Sequence, residues 1–392
     1  MKMPTNDRRE GMATKQTKKR SKSSAAAARR AKKKQKRIIL FIVEILVLAI
    51  LVAVLYTVLK ADNIQKIKVD EENIVTKVNE NVENNESLKG YRNIALFGVD
   101  SREGDLGKGT RSDSIIIASI NEETGEIKLC SVYRDTYLNL SNDSYNKCNS
   151  AYAKGGPEQA IIMLNMNLDL NITDYVTIGF DGLTDVIDAL GGVYVDVSEA
   201  EIPHLNNYQI SMVGTTSDGQ TFTATEGKDY TAVTTAGYQK LNGLQATAYC
   251  RIRHVGNDFE RAERQREVIK AMIEKAKQCD VETLVEVVNE VASSGVVYTS
   301  LDIKEMLALV PDLPKYKVVA EDGFPKADYR GTGKLGSDGD CVLALDLVKN
   351  VEWLHEFLFD DAHHEASEVV QTNSQYVREK IAKYFPDMKY PD

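Results

Sequence analysis

Residues 38–59 read IILFIVEILVLAILVAVLYTVL, an apolar run with one charge, Glu44, and neither Gly nor Pro. As a helix its 22 residues rise roughly 33 Å, enough to cross a hydrocarbon layer of about 30 Å. A cleaved signal peptide has a shorter apolar region, about 7–15 residues, and a small-residue cleavage site that is not evident here. The run therefore reads as an uncleaved transmembrane anchor. Glu44, near one end of a lone helix, reads as a snorkelling acid or one paired with a basic neighbour.

The net charge of −9 divides at this run. Residues 1–37 carry 15 of the 49 Lys and Arg and only two acids, Asp7 and Glu10, leaving 34 bases against 56 of the 58 acids beyond. The positive-inside rule places 1–37 in the cytoplasm and the body outside the cell membrane. The basic head has no aromatic interleaving and no recognition helix, so no nucleic-acid partner is expected; anionic lipid head groups suit it better. At 43% hydrophobic residues, with 8 Pro and 25 Gly, the chain is not collagen-like, mucin-like or wholly disordered. Five scattered Cys without a C-x-x-C pair exclude a disulfide-dense scaffold and a zinc knuckle. A Cys130–Cys148 disulfide stays open at this level.

Organisation follows from patterning. Residues 60–90 read as an Asn-, Glu- and Lys-rich stalk or linker, or a helix that docks on the domain, with Ile64, Ile67, Ile74, Val75, Val78 and Val82 at partly helical spacing. A domain spans 91–360, with its core in 91–275, and 361–392 reads as a surface tail. Strands are predicted at 93–99, 114–120 and 127–133, the last two joined by a short polar turn and hence an antiparallel hairpin. That register puts Arg111, Asp113, Arg134 and Asp135 on one sheet edge, and Asp100 joins them if the first strand lies beside the third. A helix is expected at 158–168 after a Gly-Gly-Pro turn. Strand 175–180, helix 181–190 and strand 193–197 follow, then a long polar loop over 199–238. A short helix at 242–246 leads to a strand 248–253 presenting Tyr249, Arg251 and Arg253 on one face. A long helix at 259–278 carries Arg261, Arg264 and Gln265 on one face. The fold class is a layered α/β (α+β) domain with a central mixed sheet flanked by helices, behind one transmembrane helix.

Familiar catalytic signatures are missing: no H-E-x-x-H or comparable spacing among the five His, no G-x-S-x-G, and a loop at 102–110 that fails phosphate-loop spacing. What stands out is Arg102, Arg111, Arg134, Arg251, Arg253, Arg261 and Arg264 at strand ends and helix starts of an acidic domain. Any one alone reads as a solvated surface side chain. As a set, converged by hairpin register, strand period and helix spacing, they suit polyanionic oxygen, for which Arg gives bidentate recognition. Asp100 and Asp113 either pair with these Arg or hold a hard cation such as Mg²⁺ (or Mn²⁺); spacing does not separate the two.

The blocks NIALFGVDSR, RSDSIIIAS, LCSVYRDTYL, NKCNSAYAKGG, DALGGVYVDV, AYCRIRH and DFERAERQREV resemble, in order and spacing, the LytR–CpsA–Psr (LCP) family. The resemblance implies a phosphotransferase of Gram-positive-type envelopes. Such enzymes move a glycopolymer (wall teichoic acid, capsule or a related polymer) from a polyprenyl-pyrophosphate carrier onto peptidoglycan through a phosphodiester, releasing polyprenyl phosphate. It further implies that Asp100 and Asp113 hold Mg²⁺, and that Arg111, Arg134, Arg251, Arg253, Arg261 and Gln265 grip the pyrophosphate. Lys147 and Asp258 fall near the head group, and an apolar channel takes the lipid. Arg134, Arg251 and Arg253 are the expected catalytic cations. Asp135 or Asp258 either serves as base or orients neighbouring Arg. Tyr133, Cys148 and Cys250 depart from the family pattern, where Pro, Ile and a small or branched apolar residue are usual. Two other readings remain: a membrane-anchored regulator that binds polyprenyl phosphates without turnover, and a lipid pyrophosphatase.

Overall fold

Alternation along residues 91–99 gives strand β1 (Tyr91–Val99) two different faces. Ala95, Phe97 and Val99 are buried on one, whereas Leu96 and Gly98 on the other are partly open. The computed structural model in which this is seen describes residues 69–390, apart from 84, 101–105, 215–220, 294 and 296. The apolar run 38–59, the basic head and Arg102 lie outside the described residues; among those described, no helix is long and apolar enough to cross a membrane.

β1 pairs antiparallel with β2 (Ser112–Asn121), which pairs antiparallel with β3 (Glu126–Val132). Gly125, at φ 75°, makes the connecting turn in a conformation that L-side chains rarely adopt. The hairpin is as expected. β1, however, lies two strands from β3, with β2 between them. Asp100 reaches the shared edge through its own pairing, Val99 opposite Ser112, rather than by lying beside β3. Adding β6 (Asp174–Ile178) parallel to β1, β9 (Val297–Thr299) antiparallel to β6 and β10 (Lys317–Phe324) parallel to β3 completes a six-stranded mixed sheet. β4 (Tyr137–Asn139) and β5 (Tyr145–Lys147) form a small ladder between β3 and the first long helix.

Helix α1 (Asn149–Leu168) covers one sheet face together with α7 (Leu347–Phe359), burying Ile117, Cys130, Tyr152, Met163 and Leu354 with Phe97. α1 begins before the Gly-Gly-Pro turn rather than after it; the helix kinks at Gly156 (φ 68°) and continues. On the other face lies α5 (Asp258–Ala276), whose Ile269 and Ile273 meet Ile116, Ala118 and Leu129. Beside this layer stand α2 (Phe180–Ala189), the β7 (Val193–Val197) and β8 (Gly237–Leu241) ladder, α3 (Ile202–Val213) and α4 (Gly243–Tyr249) around a core of their own, with α6 (Val281–Ser293) against α2. A third ladder, β11 (Arg330–Lys334) with β12 (Asp340–Ala344), packs on α8 (Glu368–Tyr384).

Three expectations fail here, each for a packing reason. The 199–238 segment is not all loop, because Leu205 of α3 is buried against α4 and β7. The 248–253 segment is no strand: the Asn242–Gln245 capping box starts α4, and Ala246 and Ala248 let it pack closely. The 361–392 tail is part of the body, since Val370, Val377 and Ile381 of α8 are buried. Of the stalk, the described part is docked, with Ile74 and Val82 in the main core. All five Cys are free, so Cys130 and Cys148 make no disulfide; Cys148 Sγ instead donates to the Tyr133 carbonyl at 3.3 Å.

α4 seats against α2 only because residue 243 lacks a side chain. A Cβ there would stand 2.1 Å from the Thr184 carbonyl oxygen. Gly243→Ala is expected to destabilise the domain by about 1–3 kcal/mol, the usual cost of overpacking a rigid contact. A lowered urea midpoint with unchanged slope checks this; an unchanged midpoint contradicts it.

Candidate active site

The β2–β3 register pairs Ile116 with Ser131, so its continuation sets Asp113 opposite Arg134. Arg134 Nη1 donates to Asp113 Oδ1 at 2.6 Å, and Arg253 Nη2 donates to Asp113 Oδ2 at 3.2 Å. Arg261, from the first turns of α5, donates through Nη2 to the Asp113 carbonyl oxygen at 3.1 Å. Arg134 also lies 3.7 Å from both Asp135 and Asp258. Asp258 approaches Arg261 at 3.4 Å and Arg253 at 3.9 Å. Lys147 Nζ extends the network to Asp135 at 3.2 Å. Asp258 is the first residue of α5, where the helix dipole favours a carboxylate.

Cations are crowded in this net. Burial works to lower the pKa of Arg134, but Asp113, Asp135 and Asp258 raise it overall. Arg261 goes the other way: burial, and next the nearby charge of Arg134, pull it down to about 10. It still carries its charge at neutral pH, a buried guanidinium that Asp258 and Asp113 only partly compensate against burial and the neighbouring cations. The Nε atoms of Arg134 and Arg261 are buried without a hydrogen-bond partner in the protein.

Two cavities meet at this network. The larger, about 430 Å³, runs between the open face of β1, β2 and β6 and helix α5. Its charged end holds Asp100, Asp113, Arg251, Arg253 and Arg261. Its body is apolar, with Leu96, Ile178, Leu183, Val268 and Met272 among the wall residues. On α5, Gln265, Val268, Ile269, Met272 and Ile273 recur at helical spacing and make one wall. The smaller cavity, about 230 Å³, adjoins it, with Asp113, Ser114, Arg261 and Gln265 lining both. Asp135, Asp258, Tyr133, Phe259, Thr332 and Asp340 line it. Tyr133 and Phe259 rings meet edge to face at 4.5 Å, and the Arg330 guanidinium lies 3.7 Å from the Phe259 ring centre. Gly323 makes room for Tyr133, since a Cβ there would stand 2.0 Å from its hydroxyl.

The expected residues do not all play one part. Arg251 and Arg253 reach the larger cavity from the irregular segment after α4, not from a strand. Arg251 stacks 4.0 Å from the Phe180 ring centre and 5.4 Å from that of Tyr208, so α3, in the region read as loop, helps hold it. Arg264 is set apart from the cluster. It donates to Glu201 at 2.6 Å and to the carbonyl oxygens of Ile252 and Val255 at 3.1 and 2.6 Å. On a helix, Arg264 falls about 60° to one side of Arg261 and Gln265 about 40° to the other. The shared-face reading of these three is therefore wrong for Arg264, which is a strut beneath the segment carrying Arg251 and Arg253. Gln265 also braces that segment, donating to the Cys250 carbonyl at 3.4 Å. Arg111 is exposed at the start of β2 and lines neither cavity. Tyr133, Phe259, Arg330 and the β11–β12 residues were missed, because their contacts join segments nearly two hundred positions apart.

Fold and cleft together define a layered α/β domain with a long apolar cleft closed at one end by a guanidinium–carboxylate network. The LytR_cpsA_psr family model matches residues 51–336, and the chain belongs to that family. It is 32% identical over 226 residues to the polyisoprenyl-teichoic acid–peptidoglycan teichoic acid transferase TagU of Oceanobacillus iheyensis, covering 56% of this chain and 61% of that one. The TagU of Halalkalibacterium halodurans is 36% identical over 188 residues, covering 47% and 53%. The chain thus spans about half the length of the curated relatives it matches. Its fold is similar to that of TagT with bound octaprenyl pyrophosphate lipid, with TM-score 0.51 and 20% identity over 72% of this chain and 96% of the other; at that identity the likeness establishes the fold.

Proposed function

We propose that this protein is a phosphotransferase that moves a glycopolymer from a polyprenyl-pyrophosphate carrier onto peptidoglycan, releasing polyprenyl phosphate. Residues 38–59 would anchor it in the cell membrane with residues 60–392 on the extracytoplasmic side. One observation carries this reading: a single cleft that is apolar along its body and lined at one end by Arg251, Arg253 and Arg261. That is the shape of an amphiphile with a long hydrocarbon tail and a polyanionic head. The similarity to relatives named as teichoic acid transferases supports the reaction class.

The two cavities fit the stereochemistry of phosphoryl transfer. Attacking and leaving oxygens lie roughly in line through the reacting phosphorus. With polyprenyl phosphate leaving toward the apolar cleft, the acceptor hydroxyl approaches from the opposite side, and we assign that approach to the smaller cavity, which shares Asp113, Ser114, Arg261 and Gln265 with the cleft. Its oxygen forms a bond to the glycan-bearing phosphorus. The bond from that phosphorus to the bridging oxygen breaks, and the electron pair leaves with polyprenyl phosphate. The hydroxyl proton goes to a carboxylate of the smaller cavity. Asp258 suits this role by position: it lines that cavity, and its Oδ1, 3.4 Å from Arg261, accepts no hydrogen bond in the protein. Arg134 and Arg261 offset the charge that develops on the phosphate oxygens.

Asp100 and Asp113 suit a hard dication such as Mg²⁺, because both line the charged end of the cleft. Each Asp113 oxygen is engaged by one guanidinium and keeps a second lone-pair site. When bound there, the ion neutralises pyrophosphate charge.

The test supplies the purified full chain with labelled lipid-linked glycan and peptidoglycan oligomers, with and without Mg²⁺. Transfer dependent on the metal is expected. Intact lipid throughout would point to the non-catalytic regulator and overturn the proposal. Lipid phosphate released without transfer would make the protein a pyrophosphatase. Thr332→Trp, at the exposed mouth of the smaller cavity, is expected to cut transfer at least tenfold while donor binding stays unchanged. Equal losses of donor binding and transfer would remove the acceptor from that cavity.

A further inference from the structure

Far from the cleft, the end of α7 and the segment that follows it bring together two histidines and an aspartate outside any transfer chemistry. His355 and His364 stack with ring centres 3.4 Å apart and planes 9° from parallel. His355 is fully buried and His364 nearly so. One ligand atom from each His and one from Asp361 all lie within 4.8 Å of one another.

Hydrogen bonding fixes which ring nitrogens are available. His355 Nε2 lies 3.1 Å from the Leu168 carbonyl oxygen, which can only accept, so Nε2 carries the proton and the neutral ring leaves Nδ1 bare. That Nδ1 is buried with no hydrogen-bond partner in the protein. His364 Nε2 faces Asp169 Oδ2 at 3.3 Å, a buried carboxylate that also accepts from the Ser367 amide at 2.8 Å and from Asn79 Nδ2 at 2.5 Å. His364 therefore also donates through Nε2, and its Nδ1 accepts from Asn85 Nδ2 at 3.5 Å. Asp361 is partly exposed and accepts from Asn85 at 3.4 Å and from the His363 amide at 3.3 Å.

Metal-binding histidines characteristically donate the second ring N–H to a carbonyl or carboxylate, which fixes the tautomer and aims the free nitrogen. Both rings here are held in that way. We propose that His355 Nδ1, His364 Nδ1 and the Asp361 carboxylate form a binding site for a divalent metal ion of the zinc class, structural in role. Two imidazoles and a carboxylate are a donor set that zinc takes. The ion gives the orphaned His355 Nδ1 a partner; rings 9° from parallel do not aim both lone pairs at one point, so the proposal requires them to tilt on binding. Asn85 stands beside both His364 and Asp361, so the site ties the end of the stalk to α7 and to the start of α8. No H-x-x-x-H spacing betrays it, because its ligands come from a helix and the loop beyond rather than from one helix face.

The test takes the purified full chain in detergent, strips it with chelator, and equilibrates it with Zn²⁺ alone before measuring bound metal by mass spectrometry. One Zn²⁺ per chain is expected, with affinity falling at least tenfold in Asp361→Asn and in His364→Gln. Asp361 is partly exposed, so its variant reads ligation without a folding defect, and circular dichroism confirms the fold of both. Loading with Co²⁺ is expected to give the visible absorption of a four-coordinate ion, lost in the same variants. Wild type that holds no Zn²⁺, or variants that hold as much as wild type, overturn the proposal. Binding of Mg²⁺ in place of Zn²⁺ overturns it as well, since imidazole is a poor ligand for that ion.

Discussion

Arg134→Ala is expected to lower kcat/KM for transfer by at least a thousandfold. Arg134 is the hub of the network, within 3.7 Å of Asp113, Asp135 and Asp258 at once. An arginine aimed at a transferring phosphoryl group is worth roughly 10³–10⁵ in rate where it has been removed in other phosphoryl-transfer enzymes. Its loss also leaves three carboxylates facing the same space, which adds repulsion against an incoming pyrophosphate. Arg134→Lys restores the charge but not the planar fork, so it is expected to recover little. The side chain is about one-fifth exposed at the cavity wall, so neither variant empties a core position. The measurements are steady-state transfer, thermal stability and binding of octaprenyl pyrophosphate. If Arg134→Ala keeps more than a tenth of wild-type turnover with its stability intact, the network is not the catalytic centre.

Local pattern made part of this site legible. The short turn between β2 and β3 fixes a register, and register alone puts Asp113 and Arg134 together. The stripe from Gln265 to Ile273 is visible as a helical repeat, although a repeat of that kind more often marks ordinary core. What local pattern could not supply was direction. Arg264 shares helix spacing with Arg261 but turns to Glu201, because a buried carboxylate and two open carbonyls lie on that side. The alternation of Tyr249, Arg251 and Arg253 suggested a strand, yet the capping box at Asn242 and close packing on α2 decided for a helix. The smaller cavity was invisible for a stronger reason: β11 and β12 close it, and their positions relative to β3 depend on β10 crossing to the sheet edge. Tyr133 was noticed only as a departure from family pattern, and its place against Phe259 and Arg330 required three distant segments.

Shortening the carrier lipid should have an effect as large as removing Arg134, but on a different kinetic parameter. The cleft body is lined by Leu96, Ile178, Leu183, Val268 and Met272, which offer a substrate no hydrogen-bond donor and no acceptor beyond a weak thioether. Its contribution is therefore burial of hydrocarbon, about 0.8 kcal/mol per methylene, or about 4 kcal/mol for one five-carbon isoprene unit. Removing one unit from the cleft weakens binding by about three orders of magnitude, since each 1.4 kcal/mol is tenfold. The head group stays on the same Arg side chains, so a donor too short to fill the cleft is expected to show a raised KM with kcat nearly unchanged. Met272→Trp tests the same wall from the protein side. Met272 is partly exposed where α5 lines the cleft, so an indole there takes tail space one turn beyond Val268 and away from Arg251, Arg253 and Arg261. The variant is expected to lose its preference for long carriers and to treat short and long donors alike. A wild-type protein that already treats them alike binds the tail elsewhere, and the apolar cleft would then belong to the core rather than to the substrate.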